Sequence, residues 1–268
     1  IIPTNANPLC DQGAQWVDDP RAIAHSCDII CTSLPGPDEF RDVFHSERGI
    51  VAGAQAGSTC IDFTTNSPSA VQEAGARLAA QGASLLDAPV SGGVERAQTG
   101  ELTVLVGGAD ADFQRCKRVF DSVAESVLHV GALGTASICK ILHNCAVFCT
   151  NLAMVECLTA GVKAGVDAQT LVNVFQQSGL GKNLDLHVAL PATLLRGQFE
   201  PRYAMRTAAK DMALAAELAA GVNVPMQLAK VCEADMLQAM RQGWKDLDHT
   251  IYLTLQEQRA GVQVRTSA

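Results

Sequence analysis

Short apolar segments alternate with helix-like stretches through the first half of the chain, and this alternation limits the folds that it can adopt. The apolar segments, rich in Ile, Val, Leu and Cys, are residues 27–33, 58–63, 83–88 and 102–106. Helix-like stretches lie between them at residues 38–45, 67–80 and 110–121. Apolar strands that alternate with helices are typical of a parallel sheet covered on both faces. The pattern predicts an α/β fold with a doubly wound parallel sheet.

The second half of the chain is helical in its pattern. An apolar stretch without proline covers residues 135–164, and helical periodicity continues at residues 167–177, 204–220, 226–241 and 245–259. Asp167 is placed to cap a helix N-terminus, and Gly179 and Gly221 are placed to end helices. We therefore expect an α/β domain at residues 1–132 and an all-α domain at residues 133–268, joined by a long interdomain helix.

The composition argues against two broad classes of partner. Hydrophobic residues make up 48% of the 268 residues, which is enough for a packed interior. The formal net charge is −8, whereas nucleic-acid binding needs a basic face, so we expect no nucleic-acid partner. By inspection, no apolar stretch is long enough to span a bilayer, and no lysine-rich cluster marks a membrane surface. We expect no membrane association.

The placement of the ten cysteines favours free thiols over disulfides or metal ligands. Several of them lie inside apolar runs, where a thiol packs as a small hydrophobic group. Cys145 and Cys149 lie four residues apart, but no second pair at zinc-like spacing accompanies them. We expect no metal site and a reducing, cytoplasmic location.

Polar and glycine-rich segments follow three of the predicted strands. The first strand is followed by Leu34 and Pro35, the second by residues 62–66, and the third by a segment that contains Ser91-Gly92-Gly93. Ligands of open parallel sheets bind beyond the carboxyl ends of the strands. Such residues are also common in ordinary turns, and for Leu34-Pro35 both interpretations stay open. Two glycines after a serine let backbone N–H groups converge on an anion, so this segment suits a substrate carboxylate.

A lysine lies near the start of the long apolar helix. Lys140 and Asn144 are four residues apart and share one face, which Asn151 continues. A helix that is apolar all round is buried, and burial without a counter-charge lowers the pKa of a lysine towards values useful for proton transfer. The alternative is that Lys140 reaches solvent or pairs with an acid. We expect His143 to pack, or to contact a residue that itself binds the ligand, rather than to act as a ligand.

Together these motifs resemble the β-hydroxyacid dehydrogenase family, which includes 3-hydroxyisobutyrate dehydrogenase and tartronate semialdehyde reductase. The segment from Asp87 to Gly108, DAPVSGGVERAQTGELTVLVGG, resembles the substrate-binding motif of the family, and GALGTASICKILHN from Gly131 to Asn144 resembles its catalytic motif. Residues 62–65 resemble the segment that contacts the nicotinamide. The resemblance covers essentially the whole chain. It implies a Rossmann-like NAD(P)-binding domain followed by an all-helical domain.

The resemblance also implies a reaction and a role for each motif. The chain would transfer a hydride between NAD(P) and a small 3-hydroxy acid, of the 3-hydroxyisobutyrate or tartronate semialdehyde/glycerate type. Lys140 would be the general acid/base. The residues implied for the substrate are Ser91, Gly92, Gly93 and Asn144. The residues implied for the cofactor are Leu34, Pro35, Thr65 and Lys210, which opens a Lys-Asp pair.

The chain departs from the family pattern in two places. Ala136 stands where the family usually has glycine. No Gly-x-Gly-x-x-Gly loop occurs before Cys27, and the sequence begins near the second strand of the family, so cofactor binding without that loop is an open question. The position that selects the cofactor offers only Asn5 and Asn7, neither an acid nor an arginine. The choice between NAD and NADP stays open, with NAD slightly favoured.

Three alternatives compete with this interpretation. Lys140-Ile-Leu-His143-Asn144 also resembles the Lys-x-x-His-Asn of 6-phosphogluconate dehydrogenase, although the tail lacks a basic cluster for a sugar phosphate. Imine reductases share the fold but replace the lysine. A non-catalytic assembly module is the third alternative, and the presence of Lys140 with Ser91-Gly92-Gly93 disfavours it. Because the helices offer more apolar surface than one small domain can cover, we expect a homodimer or homotetramer.

Overall fold

The computed structural model describes residues 3–266, and its contacts divide the chain into two compact units between Ala146 and Val147. This division falls inside the long helix Thr135–Lys163. The domain boundary expected from the sequence, between residues 132 and 133, lies just before that helix begins and stays a prediction.

A six-stranded sheet forms the centre of the first unit. Its strands are β1 Ile29–Thr32, β2 Thr59–Asp62, β3 Ser84–Asp87, β4 Val90–Ser91, β5 Leu102–Gly107 and β6 Ala124–Gly131. They lie in the order β1-β2-β3-β5-β4, and β6 pairs with β5. The first three strands are parallel, as the sequence pattern predicts. The Rossmann-like α/β class is confirmed.

The direction of β5 differs from the expectation of an entirely parallel sheet. Strand β5 is antiparallel to both β3 and β4, and β6 is parallel to β5. The segment between β4 and β5 contains one short helix, Gly93–Thr99, of 7 residues. A helix of that length spans about 10 Å, which is shorter than the roughly 20 Å that a six-residue strand covers. The chain therefore re-enters the sheet from the edge at which it left.

Three helices of the first unit lie where the sequence predicts them. Those at residues 38–45, 67–80 and 110–121 are confirmed within two residues, whereas four further short helices and the strands β4 and β6 were not foreseen. After a 3-10 turn at Pro3–Ala6 the helices are α1 Asn7–Cys10, α2 Pro20–Ser26, α3 Pro37–His45, α4 Ile50–Gly53, α5 Pro68–Ala79, α6 Gly93–Thr99 and α7 Asp110–Val123. Proline opens α2, α3 and α5, where its missing N–H needs no partner.

Apolar side chains cover both faces of the sheet, because neighbouring residues of a strand point to opposite sides. Cys60 and Leu85 belong to one apolar cluster, while the next residues, Ile61 and Leu86, belong to another. The first cluster also contains buried residues of α2 to α5, namely Ala24, Phe40, Phe44, Ile50, Val71, Ala74 and Leu78. The second contains Cys116 and Phe120 of α7. The sheet is doubly wound.

Helix α8, Thr135–Lys163, is the longest in the described part of the chain at 29 residues. It is long and apolar enough to cross a membrane by length and composition, with a window of mean hydropathy 1.6. The expectation that no apolar stretch reaches this length is therefore wrong. Core helices of soluble proteins meet the same criterion, so the length alone decides nothing about a membrane.

The second unit is built from helices, as the sequence predicts. Beyond α8 they are α9 Ala168–Gln177, α10 Leu190–Ala192, α11 Met205–Gly221, α12 Gln227–Arg241 and α13 Thr254–Ala260, with a π-helical turn at Asp185–Ala189 and 3-10 turns at Leu194–Arg196 and His249–Leu253. Asp167 caps α9 by accepting a hydrogen bond from the Thr170 N–H at 2.9 Å. The helix expected at residues 245–259 begins later, because the Asp248 side chain caps the 3-10 turn through the Thr250 N–H.

Two apolar clusters and one side-chain cap hold the helices of the second unit together. One cluster contains Met205, Ala208, Met236, Ala239, Ile251 and Leu255, and the other contains Ala160, Ala219, Val224 and Met226. The Glu156 side chain accepts hydrogen bonds from the N–H groups of Gln227 and Leu228 at 2.8 and 3.2 Å. A residue of α8 thus satisfies the free N–H groups at the start of α12.

Candidate active site

The last residues of the three parallel strands lie side by side in register. Thr32 pairs with Asp62, and Asp62 pairs with Asp87. The segments that follow these strands therefore leave the sheet at one edge, which is where open α/β sheets bind ligands. This arrangement confirms that the polar strand ends meet at one edge.

A cavity of about 510 Å³ lies at this edge, within the first unit. Its lining includes each residue that the sequence assigns to the substrate or to proton transfer, together with Thr65 from the cofactor set. The lining residues are Thr65, Val90, Ser91, Gly92, Gly93, Val94, Ala97, Leu102, Lys140 and Asn144. Residues that lie up to 79 positions apart in the chain thus face a common space.

The Ser91-Gly92-Gly93 segment forms a turn that requires its glycines. Gly92 has a φ of 137° and Gly93 a φ of 74°, conformations that residues with a Cβ rarely adopt. A Cβ on Gly92 would lie 2.9 Å from the Cβ of Arg96, so there is no room for one. Successive N–H groups in such a conformation can converge on an anion.

The Lys140 side chain is buried and its ammonium has no counter-charge in the described structure. The residue is 7% exposed, and burial lowers the pKa of its amine below the ordinary value. Within residues 3–266 no ion pair or hydrogen bond joins its ammonium to another side chain. The alternative in which Lys140 pairs with an acid is not what the structure shows. A lysine with a lowered pKa gives up its proton more readily than an ordinary lysine, which suits an acid/base group.

Asn144 lies one helical turn after Lys140 and lines the same cavity. It is partly buried, and its Oδ1 lies 3.3 Å from the Nδ1 of His143, which is exposed. The amide nitrogen of Asn144 is thus left to contact a ligand. His143 supports Asn144 rather than facing the cavity.

The start of α8 is held by a buried carboxylate. Asp87 Oδ1 accepts a hydrogen bond from the Gly134 N–H at 2.8 Å. Asp87 Oδ2 accepts from both the N–H and the hydroxyl of Ser137, at 2.7 and 2.8 Å. In the sequence, Asp87 stands out only as the first residue of the motif from Asp87 to Gly108. The signal that could have identified it is an acid at the end of an otherwise apolar strand, because such an acid needs partners.

A second buried carboxylate organises the segments after β1 and β2. Asp62 accepts hydrogen bonds from the Thr32 hydroxyl at 2.8 Å and from the N–H of Thr64 and side-chain amide of Asn66, both at 3.2 Å. The Thr64 hydroxyl in turn accepts from the Leu34 N–H at 2.9 Å. Burial raises the pKa of the Asp62 carboxyl, and the hydrogen bonds from its partners only partly oppose this. Asp62 was also missed as a functional candidate.

Leu34 and Pro35 line a different cavity from that of Lys140. This second cavity, of about 780 Å³, is also lined by Asn5, Leu9 and Trp16. Asn5 is one of the two residues that the sequence offers at the position that selects between NAD and NADP. The structure therefore brings Leu34 and Pro35 together with that position, and places Thr65 with the substrate residues instead.

Lys210 lies in the second unit, on α11. Its side chain is exposed and its Nζ lies 2.9 Å from Asp211 Oδ1. Asp211 also accepts a hydrogen bond from the Tyr203 hydroxyl. The assignment of Lys210 to the cofactor stays a prediction.

The cysteines are free thiols in the structure. Burial raises the pKa of the Cys60 thiol to about 12, so this thiol stays protonated at neutral pH. Over residues 3–266, no group of three or more His, Cys, Asp or Glu side chains is arranged to hold a metal ion.

Two domain families match the chain in succession. Residues 2–131 match the NAD-binding domain of 6-phosphogluconate dehydrogenase, and residues 134–255 match a family described as NAD-binding of NADP-dependent 3-hydroxyisobutyrate dehydrogenase. The chain belongs to the β-hydroxyacid dehydrogenase family. The resemblance of its sequence motifs to that family is confirmed.

Individual members of the β-hydroxyacid dehydrogenase family align over most of the chain. 2-(Hydroxymethyl)glutarate dehydrogenase of Eubacterium barkeri is 28% identical over 98% of this chain and 87% of its own. The structure of Mycobacterium tuberculosis 3-hydroxyisobutyrate dehydrogenase with L-serine is 25% identical, with a TM-score of 0.62, covering 94% of this chain and 88% of its own. An imine reductase variant from Myxococcus stipitatus, in complex with NAD⁺, has a TM-score of 0.80 at 17% identity, covering 94% and 88%. That last similarity shows the fold alone.

These findings establish the general activity of this β-hydroxyacid dehydrogenase family member. It is an oxidoreductase that uses a nicotinamide cofactor and acts on a small molecule. An oxidoreductase assignment disfavours the non-catalytic assembly module among the alternatives. The substrate, the preferred cofactor and the role of Lys140 are matters for proposal.

Proposed function

We propose that this enzyme transfers a hydride between a nicotinamide cofactor and a small 3-hydroxy acid, with Lys140 as general acid/base. The substrate would be of the 3-hydroxyisobutyrate or tartronate semialdehyde/glycerate type. The observation that supports this most is the cavity that joins an unpaired, buried ammonium to the Ser91-Gly92-Gly93 turn. A 3-hydroxy acid needs both features at short range, because one carbon separates its carboxylate from its hydroxyl-bearing carbon.

Proton transfer is the step that the chain itself supplies. In the oxidation, neutral Lys140 takes the proton from the substrate hydroxyl while the carbon loses its hydride, and in the reduction the ammonium returns it. The lowered pKa of Lys140 makes its neutral form easier to reach than that of an ordinary lysine. When bound, the nicotinamide cofactor supplies the site that accepts or donates the hydride.

The carboxylate of the substrate would be held by the Ser91-Gly92-Gly93 turn and by Asn144. The Ser91 hydroxyl and the N–H groups of the two glycines are hydrogen-bond donors, and so is the Asn144 amide. Holding the acid at a fixed point sets the position of the hydroxyl relative to Lys140, which is the main contribution of binding to such a reaction.

The residues fit a nicotinamide cofactor at the carboxyl edge of the sheet. The Asp62 network ties Leu34 to Thr64, next to Thr65, so the two cofactor segments are held in one arrangement. The cavity beside Leu34 and Pro35, which is separate from that of Lys140, includes Asn5 in its lining. Leu34, Pro35 and Thr65 would contact the cofactor, and Lys210 is proposed to join them. We propose NAD over NADP, because the described lining of this cavity includes Glu39 and Asp42 but no arginine that could meet a 2′-phosphate.

A substrate panel tests the proposal directly. The enzyme is assayed with 3-hydroxyisobutyrate, glycerate and 6-phosphogluconate, each with NAD and NADP, beside Lys140→Ala and the surface control Lys117→Ala. We expect turnover of a 3-hydroxy acid by the wild type and the control, and none by Lys140→Ala. Near-normal activity of Lys140→Ala would refute the role of Lys140. Turnover of 6-phosphogluconate alone would favour that enzyme class, whose NAD-binding domain matches residues 2–131.

We also propose that two or four copies of the chain associate through α8. Only 6% of its most apolar window is buried, and Leu142 and Phe148 are 64% and 67% exposed. Other exposed apolar side chains of α8 are Ile138, Ile141, Val147, Leu152, Val155 and Val162. Apolar patches of this extent are covered in soluble proteins.

Light scattering on the purified protein tests the association. We expect the mass of a dimer or tetramer for the wild type and for Phe148→Leu, and a smaller mass for Phe148→Asp. A monomer that binds lipid vesicles instead would contradict the proposal. The free thiols lead us to propose a cytoplasmic location, which imaging of the tagged protein in its host would check.

A further inference from the structure

In the described structure the Asp87 carboxylate accepts hydrogen bonds only from the start of the helix that carries Lys140. The residue is 1% exposed, and over residues 3–266 every hydrogen bond to its carboxylate comes from Gly134 or Ser137. We propose that Asp87 is a positioning residue that acts through the first turn of α8 to set the place and the surroundings of the Lys140 amine. The proposal rests on the proposed role of Lys140.

The spacing of the donors explains how a carboxylate at the end of a strand acts on Lys140. Ser137 and Lys140 are three residues apart, so they lie on the same side of α8. The N–H groups of the first helical turn have no partner within the helix, and Asp87 takes up that of Ser137. A negative charge at this end of a helix also interacts favourably with the helix dipole. The turn before Lys140 is thus bound to the sheet.

The close packing around Gly107, at the end of β5, is a second observation that bears on the contact between Asp87 and α8. Gly107 pairs with Asp87 in the sheet. A Cβ on Gly107 would overlap Asp87 Oδ1, and it would lie 2.9 Å from Ala132 O and 3.1 Å from Ala136 N. Any larger residue there would push the carboxylate and the start of α8 apart.

Asp62, the buried acid that pairs with Asp87 in the sheet, binds a different part of the structure. Asp62 bonds to Thr32, Thr64 and Asn66, all in or after β1 and β2. Asp87 bonds only toward α8. Asp62 therefore holds the segments that follow β1 and β2, and Asp87, its neighbour in the sheet, holds the start of α8.

Two variants of this contact and one matched control form the test. Asp87→Asn removes the charge with almost no change in size. Ser137→Ala removes one hydrogen bond but keeps the charge, so a change in Lys140 then reports geometry alone. Asp167→Asn is the control, because Asp167 caps α9 with the same chemistry, accepting from the Thr170 N–H and hydroxyl at 2.9 and 3.2 Å.

The first readout does not depend on turnover. Lysines are ¹³C-methylated and titrated by NMR, with the Lys140 signal identified by its loss in Lys140→Arg. We expect the Lys140 pKa in Ser137→Ala to move by about half a unit or more toward the ordinary value, because the loosened helix admits water. In Asp167→Asn the Lys140 signal titrates as in the wild type.

The second readout is kinetic. In Asp87→Asn we expect kcat to fall about 10- to 100-fold, as for misplacement of a reacting group by about 1 Å. The KM for the hydroxy acid stays within about threefold, because the Ser91-Gly92-Gly93 turn is untouched. The pH profile of kcat/KM moves with the Lys140 pKa. Asp167→Asn keeps the wild-type kcat and profile.

Each outcome bears on the proposal. If Lys140 titrates identically in the wild type, Asp87→Asn and Ser137→Ala, Asp87 is a structural cap and the proposal is overturned. The same holds if Asp87→Asn loses thermal stability while the kinetic pH profile stays fixed. A further outcome is a Lys140 pKa that changes in both variants of an enzyme that turns over no 3-hydroxy acid. That result supports the positioning role of Asp87 and refutes only the proposed reaction.

Discussion

Replacing Lys140 by methionine should abolish proton transfer and make the fold more stable. Methionine has the same unbranched length, so it can fill the space of the lysine stem. The ammonium makes no hydrogen bond or ion pair in the described structure, so none is lost in the variant. What is removed is an amine at the wall of the cavity, whose charged form is disfavoured by partial desolvation.

The two effects have separate magnitudes. General acid/base catalysis contributes about 10²- to 10⁴-fold, so the loss of turnover corresponds to about 3 to 5 kcal/mol of transition-state stabilisation. Relief of the partial desolvation should add about 1 kcal/mol or less to the free energy of unfolding, because the Lys140 Nζ keeps contact with the solvent in the cavity. Each kcal/mol raises the melting temperature of a chain of this size by about 2–4 °C.

The stability difference should depend on pH in a defined direction. Burial lowers the pKa of Lys140 in the folded state, so between that lowered value and about 10.4 the unfolded chain binds more protons. The stability of the wild type therefore rises with pH across this window. The advantage of Lys140→Met is largest below the window and shrinks as pH rises through it.

Urea or thermal unfolding at several pH values, together with turnover, provides the assay. The control is Lys117→Met, which removes an exposed ammonium 2.6 Å from Asp121 Oδ1 and should change stability by less than about 1 kcal/mol. It should leave turnover intact. Lys140→Met with wild-type turnover, or with a clear loss of stability at neutral pH, would refute the description of Lys140 as an unpaired catalytic amine.

Three further changes probe the remainder of the site. Ser91→Ala should raise the KM for the hydroxy acid about 5- to 10-fold through the loss of one hydrogen bond, with the dissociation constant of the cofactor unchanged in a fluorescence titration; a change in the cofactor constant alone would contradict the carboxylate site. Gly92→Ala should weaken substrate binding more strongly, because a Cβ meets Arg96 and the φ of 137° is strained, and wild-type KM in that variant would show that the turn does not bind substrate. Burial raises the pKa of Asp62 in the folded protein. Between about 3.8 and that raised pKa the folded protein binds more protons than the unfolded chain, so the stability of the wild type falls as pH rises. The stability of Asp62→Asn relative to the wild type should therefore increase from acid to neutral pH. Parallel unfolding curves at the two pH values would speak against this.

Much of the fold could be predicted from local patterns. The apolar runs before Thr32, Asp62 and Asp87 gave strands because their residues are buried on both faces of the sheet, and the proline-led helices α3 and α5 followed from their periodicity. The direction of β5 could not be predicted in this way. It depends on the path of the chain through β4 and α6, and periodicity carries no information about strand direction.

In the candidate site, too, some features could be predicted from the sequence and others could not. The four-residue spacing of Lys140 and Asn144, and the paired glycines after Ser91, are local features, so the chain alone determined them. The hydrogen bonds of Asp87 join residues 47 and 50 positions apart, and no spacing rule points across such a distance. Only the tertiary structure could show that this buried carboxylate accepts hydrogen bonds from the start of the helix that carries Lys140. A buried acid needs hydrogen-bond donors, and which donors lie near it depends on how the whole chain packs.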